Sequence, residues 1–383
     1  MKIVIATDSF KGCLSSLDAG TAIKNGLLKS YPDADIKVFP ISDGGEGLTD
    51  ALKEYLDTET IGVEVTGPEF KKLRARYGLN RDRKLAVIEM ASAAGLPLVN
   101  GKKDVKYATT YGVGEMIIDA IEKGAREFII GIGGSATNDG GIGMLSALDF
   151  RFLDRNGNKV TPNALGLKNI DSIDLVGAIP ELKECTFTIA CDVDILLCGD
   201  NGCSKIFAPQ KGASQEDIDQ MDMWLNTYAD IIRKYFPLSD KDVPGSGAAG
   251  GMGFAFRSYL NATLKPGIDI VISSTGLESA IKEADYVITG EGKIDNQTSK
   301  GKVISGVLNT AKKYGKPVIA FCGSASDDCD HLGLERIVEI TPKDMSLDVA
   351  MKPDVAMENI EAAVKNIGIF RKFFMNSNGG TNE

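Results

Sequence analysis

The chain has 383 residues, a formal net charge of −10, 43% hydrophobic residues and 25% charged residues. The composition is that of an ordinary soluble globular protein, and the length favours two domains, since single cores stop growing near ~250–300 residues. An acidic balance without a basic stripe argues against nucleic acid as a partner, and no apolar run approaches the ~18 residues of a membrane span.

Residues 3–6 predict a strand rather than the longer apolar core of a signal peptide. They lead into Thr7-Asp8-Ser9-Phe10-Lys11-Gly12, after which apolar spacing predicts a helix over 14–30. A strand over 36–41 follows, then a first glycine-and-acid loop, Ser42-Asp43-Gly44-Gly45-Glu46-Gly47, and a helix to about residue 55. This opening implies a parallel sheet with ligands at the C-terminal ends of its strands. The middle differs: 61–68, 72–78 and 85–90 are strand-like with turns between them, which predicts an antiparallel or mixed region. A helix over 114–122 and a strand over 127–132 precede the longest loop, Gly133-Gly134-Ser135-Ala136-Thr137-Asn138-Asp139-Gly140-Gly141.

The opening grammar then returns. A strand over 286–289 feeds a third loop, Gly290-Glu291-Gly292-Lys293-Ile294-Asp295. A helix over 303–314, strands over 318–321 and 337–340, and a helix over 349–366 follow, and residues 376–383 form a tail without apolar content. Two similar halves around an unlike middle predict an α/β protein. A split, Rossmann-like parallel-sheet domain of residues 1–60 plus 262–383 carries an inserted mixed α/β domain of residues 61–261, with the active site in the interdomain cleft.

Glycine is the compositional outlier, with 43 residues clustered at strand ends. A glycine loop offers backbone N–H groups to an anion, and a loop that opens a helix adds the favourable helix dipole. Carboxylates in the same loops would repel that anion unless a divalent cation lies between them. The three loops therefore point to Mg-nucleotide chemistry. Gly131-Ile132-Gly133-Gly134-Ser135-Ala136 fits G-x-G-x-x-A, yet its hydroxyl- and acid-bearing continuation suits nicotinamide binding poorly. No P-loop exists, because Asn296 and Val303 stand where Gly and Ser or Thr are required, and the protein-kinase motifs are missing.

His331 is the single histidine, so a carboxylate or lysine must do general-base work. Asp8, Asp43, Asp192 and Asp295 all lie just past expected strands. Lys11, Lys211 and Lys300 are candidate phosphate or carboxylate partners, whereas Lys293 and Lys302 read as solvated. The seven cysteines form no zinc module and no C-x-x-C pair, which suits packing in a reducing, cytoplasmic compartment. The uncharged run Gly245-Ser246-Gly247-Ala248-Ala249-Gly250-Gly251-Met252-Gly253 suits close backbone packing or a hinge.

An ordered set of motifs resembles the type I glycerate kinases. It comprises Asp8-Ser9-Phe10-Lys11-Gly12, Asp43-Gly44-Gly45-Glu46-Gly47, Ile88-Glu89-Met90-Ala91, Thr109-Thr110-Tyr111-Gly112, residues 130–143, Cys191-Asp192-Val193, Pro209-Gln210-Lys211-Gly212-Ala213, residues 247–253 and residues 289–302. The resemblance implies ATP-dependent phosphorylation of D-glycerate, 2-phosphoglycerate being favoured over 3-phosphoglycerate, with Mg²⁺ in the cleft and a monomer or homodimer as the assembly. The roles it implies are as follows. Gly133, Gly134, Ser135, Thr137 and Lys300 hold the ATP phosphates, and Asp43 and Glu291 hold Mg²⁺. Asp192 is the base, with Asp295 as alternate, and Lys11 assists. Lys211, Gln210, Arg76 and Ser9 bind substrate. The chain departs from the family pattern at Ser42, Leu48, Ile195-Leu196, Asp200 and Cys203, which bears most on the loop leading to Lys211. A binding module for sugar acids or nucleotides without turnover is the alternative, and a dehydrogenase ranks third.

Overall fold

The computed structural model describes residues 1–42, 45, 47–101, 103–295, 303–326 and 333–366. The chain separates into two compact units, residues 1–42 with those from 271 onward, and residues 43–270. In chain order the strands are β1 (Lys2–Thr7), β2 (Asp35–Val38), β3 (Glu59–Thr66), β4 (Lys72–Asn80), β5 (Leu85–Glu89), β6 (Glu127–Gly131) and β7 (Arg151–Leu153). They continue with β8 (Ser172–Asp174), β9 (Thr186–Ala190), β10 (Thr263–Lys265), β11 (Tyr286–Ile294), β12 (Val318–Ala325) and β13 (Arg336–Glu339).

The first unit is built on a parallel sheet of order β13-β12-β11-β1-β2. Parallel strands are covered on both faces and so read as near-continuous apolar runs; β1 is buried from Ile3 to Thr7. Counted within the unit the order is 2-1-3-4-5, a doubly wound arrangement whose direction reverses between β1 and β11. Ligands of such sheets bind at that reversal, beyond the strand ends, and here Thr7 stands opposite Gly290. The helix Ser16–Ser30 is capped by Ser15, whose hydroxyl accepts from the Asp18 amide, and it packs on the helix Pro353–Asn366. Ile5, Ile23, Leu27, Phe321 and Ile360 close the core between helices and sheet.

The third glycine loop of the sequence reading is strand. β11 continues through Gly290, Glu291, Lys293 and Ile294, which pair with Phe321, Cys322, Ser324 and Ala325 of β12. Its glycines serve backbone proximity: a Cβ on Gly290 would lie 2.4 Å from the Phe321 carbonyl oxygen. β1 pairs with β11 only as far as Gly290, so beyond it the ladder with β12 overrides the segment's loop-like composition.

The second unit holds a mixed six-stranded sheet of order β10-β9-β6-β5-β4-β3, antiparallel among β3, β4 and β5 and parallel from β5 to β10. Glu89, Gly131 and Ala190 share one register, so β5, β6 and β9 end level and their following loops rise from one edge. Phe128 and Phe187 stack at 4.9 Å between ring centres within the core. The helix Gln215–Tyr235 starts in a capping box formed by Ser214 and Asp217 and buries Leu225, Tyr228 and Ile232. No helix among the described residues is long and apolar enough to cross a membrane.

Candidate active site

In the second unit the longest glycine loop leaves β6 and turns at Gly133 and Gly134, the latter at φ +72°. Ser135 bridges to Gly95, and the Ala136 amide donates to the Ala94 carbonyl at 2.9 Å, so the loop runs along the turn that follows β5. The loop runs directly into the helix Ile142–Ala147, whose N-cap is the loop's last residue, Gly141. Asp139, two residues before the N-cap, links that entry to the start of the helix Tyr111–Glu122. Its carboxylate accepts from the Thr110 amide and hydroxyl at 2.8 Å each, and from the Gly141 amide at 3.0 Å. Burial pushes the Asp139 pKa up, and these donors oppose the shift. A carboxylate seated there already satisfies the helix end, so any anion bound by residues 133–137 must rely on other groups.

The uncharged 245–253 segment backs the same loop. Ala249, Gly250 and Gly251 take left-handed φ values of 52°, 69° and 99°, and the Gly140 amide donates to the Gly250 carbonyl at 2.9 Å. A Cβ on Gly250 would stand 2.2 Å from the Thr137 carbonyl oxygen. Only glycine permits this approach of two backbones.

Lys211 meets the loop from the 3₁₀ turn Pro209–Lys211. Its ammonium donates to Ser135 Oγ and to the Thr137 carbonyl, each at 2.7 Å, and the residue is 3% exposed. Both acceptors are neutral. Burial lowers the pKa to about 8, while the nearby Cys203 and Asp139 pull it upward. An ammonium has three donors, so one remains for an anion. The Thr137 hydroxyl is also buried without a hydrogen-bond partner among the described residues, which leaves this loop with spare polar capacity.

The neighbouring strand ends carry further candidates. Glu89 closes β5, where it accepts from the Gly47 amide at 3.2 Å and the Thr49 amide at 2.8 Å. Burial pushes its pKa up against those two donors. Asp192 follows β9, half-buried, and its Oδ1 accepts from the Gly267 amide at 2.9 Å. Gln210 is exposed beside Lys211, and its carbonyl accepts from Lys103 at 3.5 Å. Arg76 lies on β4 with an open side chain, paired to Asp50 at 3.7 Å.

The first unit gathers its candidates at the β1–β11 reversal. The Asp8 amide donates to the Gly290 carbonyl at 2.8 Å, and the Asp8 carboxylate, 6% exposed overall, accepts from the Ser9 amide at 2.7 Å. Gly12, at φ +75°, closes the turn that exposes Lys11. β11 passes this turn, since a Cβ on Gly292 would stand 3.7 Å from the Lys11 backbone nitrogen. Glu291 is 7% exposed, and Asp295 follows the strand end, half-buried. Asp43 and Lys300 lie outside the described residues.

Asp139 and Glu89 are the site-supporting residues to which the sequence reading gave no role. Asp139 carried a signal: an acid before paired glycines at a helix start is a capping pattern. Glu89, a carboxylate ending an otherwise apolar strand, carried a weaker one.

A family model described as the glycerate kinase family matches residues 3–372. The chain is 46% identical over 371 residues to glycerate 2-kinase of Escherichia coli (strain K12), covering 96% of this chain and 97% of that protein. It is 43% identical over 371 residues to glycerate kinase of Bacillus subtilis (strain 168), with the same coverage of 96% and 97%. Among solved structures it is similar to the Salmonella typhimurium LT2 protein provisionally named glycerate kinase 2, with a TM-score of 0.86 and 42% identity over 98% of this chain and 99% of that one.

Proposed function

The chain belongs to the glycerate kinase family and is accordingly a phosphotransferase; we propose that it moves the γ-phosphoryl group of ATP to the 2-hydroxyl of D-glycerate, giving 2-phosphoglycerate and ADP. The observation that carries this reading is the buried Lys211 ammonium, held by Ser135 and the Thr137 carbonyl on a glycine loop at a parallel-strand end. Phosphoryl transfer requires positioning and charge neutralisation more than covalent catalysis, and this group supplies charge without a bound counter-carboxylate among the described residues.

In this proposal Gly133, Gly134, Ser135, Thr137 and Lys300 hold the ATP phosphates, and Lys211, which the sequence reading gave to the substrate, is reassigned to counter phosphate charge because it is bonded to Ser135 and the Thr137 carbonyl. Asp192 takes the proton of the attacking hydroxyl, and Asp295 is the alternate base. Lys11 stabilises developing charge, while Ser9, Gln210 and Arg76 bind the glycerate carboxylate and hydroxyls. Asp43 and Glu291 are the residues that would hold Mg²⁺. No group of three His, Cys, Asp or Glu side chains converges among the described residues. The two proposed carboxylates suit Mg²⁺ in a kinase, where one or two carboxylates act beside water and substrate phosphates. When bound, the ion neutralises phosphate charge and fixes the geometry of the phosphoryl group.

The direct test is incubation with Mg-ATP and D-glycerate, followed by chromatographic separation of 2- and 3-phosphoglycerate. Formation of 2-phosphoglycerate in step with ADP is expected. Release of ADP without either product would remove glycerate as the acceptor, and formation of 3-phosphoglycerate alone would move the transfer to the other hydroxyl.

A further inference from the structure

The second unit contains a cavity of about 230 Å³ that Lys211 and Ala136 border at one end, next to the glycine loop. Its lining joins apolar residues, Leu96 and Val105 among them, to the charged Glu69, Lys103 and Asp104, and two aromatic side chains, Phe70 and Tyr107, border it. Both rings stand open, Phe70 44% and Tyr107 57% exposed. Phe70 is also held at φ +60° in the turn between β3 and β4, where the Gly67 amide donates to the Lys71 carbonyl at 2.7 Å. Glycine or asparagine would suit that conformation better, so the turn itself does not account for a phenylalanine there.

Three properties thus meet in one place: an apolar wall, uncovered aromatic faces, and a buried ammonium with a donor to spare. A ligand suited to all three joins a flat apolar group to an anion. D-Glycerate lacks the apolar part and is small for the space. Resting on the kinase reading given above, we propose that this cavity is the nucleoside subsite, with the purine base on the wall bordered by Phe70 and Tyr107 and the phosphate chain running to Lys211 and Ser135. Bases stack on aromatic side chains with little dependence on sequence or base identity, so the open rings suit a base, and Glu69, Lys103 and Asp104 of the same lining offer it polar partners.

The test is isothermal titration of the full chain with ADP and with inorganic tripolyphosphate, a base-free probe of the anion site. In the double variant Phe70→Ala, Tyr107→Ala, ADP affinity falls about tenfold or more, while tripolyphosphate affinity stays within about twofold. Lys211→Met weakens both ligands. Because both rings are exposed, an unchanged melting temperature is expected for the double variant and confirms that it folds. ADP affinity equal to that of the parent chain in the double variant overturns the subsite, as does an equal loss of both ligands there. The kinase reading fails separately, if the parent chain makes no phosphoglycerate from Mg-ATP and D-glycerate; ADP affinity decides the subsite in either case.

Discussion

Lys211 Nζ and Ser135 Oγ stand 2.7 Å apart although 76 residues separate them in the chain. A buried ammonium among neutral acceptors is poorly solvated, so it lowers stability at neutral pH while supplying charge to a bound anion. Lys211→Met is therefore expected to reduce kcat/KM for ATP by about a hundredfold or more. Its melting temperature should lie no more than ~2 °C below the parent value. A fall well beyond that, with turnover retained, would make Lys211 a structural residue.

The same group sets a pH dependence. Burial lowers the Lys211 pKa to about 8 from an ordinary 10.5. With the folded value depressed, the native chain holds fewer protons than the unfolded chain between those two values, so this residue's contribution to stability rises with pH across that window. Activity runs the other way: the anion needs the ammonium, so kcat/KM for ATP should decline as pH passes about 8. The residual activity of Lys211→Met should lack this limb. A limb that persists in that variant would assign the titration to another group.

Asp139 is an acceptor-only group facing backbone and hydroxyl donors, with no solvent contact. In Asp139→Asn an amide group replaces one carboxylate oxygen, so a donor faces a donor. Chemical denaturation should show a loss of about 3 kcal/mol. ATP binding should weaken with it, since Thr110 and Gly141 would no longer be tied to the end of the 133–139 loop. Stability and nucleotide affinity both near the parent values would refute the anchoring role.

Much of this architecture was legible because it rests on local patterns. The apolar run at Ile3, Val4 and Ile5 and the helical spacing through Leu27 identify β1 and its helix, and β5 and β6 are readable in the same way. The long-range relationships were not. The Gly-Glu-Gly-Lys stretch has loop composition, and only its ladder with β12 makes it strand past Gly290. The glycine loop and the helix at Ile142 are adjacent in sequence, yet the buried Asp139 separates their roles. Lys211 could be singled out as a cation, but its attachment to Ser135 depends on where β6 and the Pro209–Lys211 turn come together.

Two glycines with similar φ separate backbone strain from crowding. Gly157 is at +78° with nothing within 4 Å of an added Cβ, whereas Gly250 is at +69° with the Thr137 carbonyl oxygen 2.2 Å away. Gly157→Ala should cost about 1 kcal/mol with no change in kinetics. Gly250→Ala should cost about 3 kcal/mol and raise KM for ATP, because the 137 carbonyl must move from Lys211. Matching stability losses and unchanged KM in both variants would show that the 245–253 segment does not hold the loop in place.

Asp192 offers the cleanest separation of structure from chemistry. Its Oδ1 accepts from the Gly267 amide at 2.9 Å, and an asparagine retains a side-chain oxygen for that bond while losing the capacity to take a proton at neutral pH. Asp192→Asn should thus keep the fold and ADP affinity while kcat falls by about a thousandfold, within the usual range for removal of a general base. Asp295→Asn, measured in parallel, should fall far less. If the two effects are reversed, the proton goes to Asp295, and Asp192 serves to hold the start of the helix Gly267–Thr275.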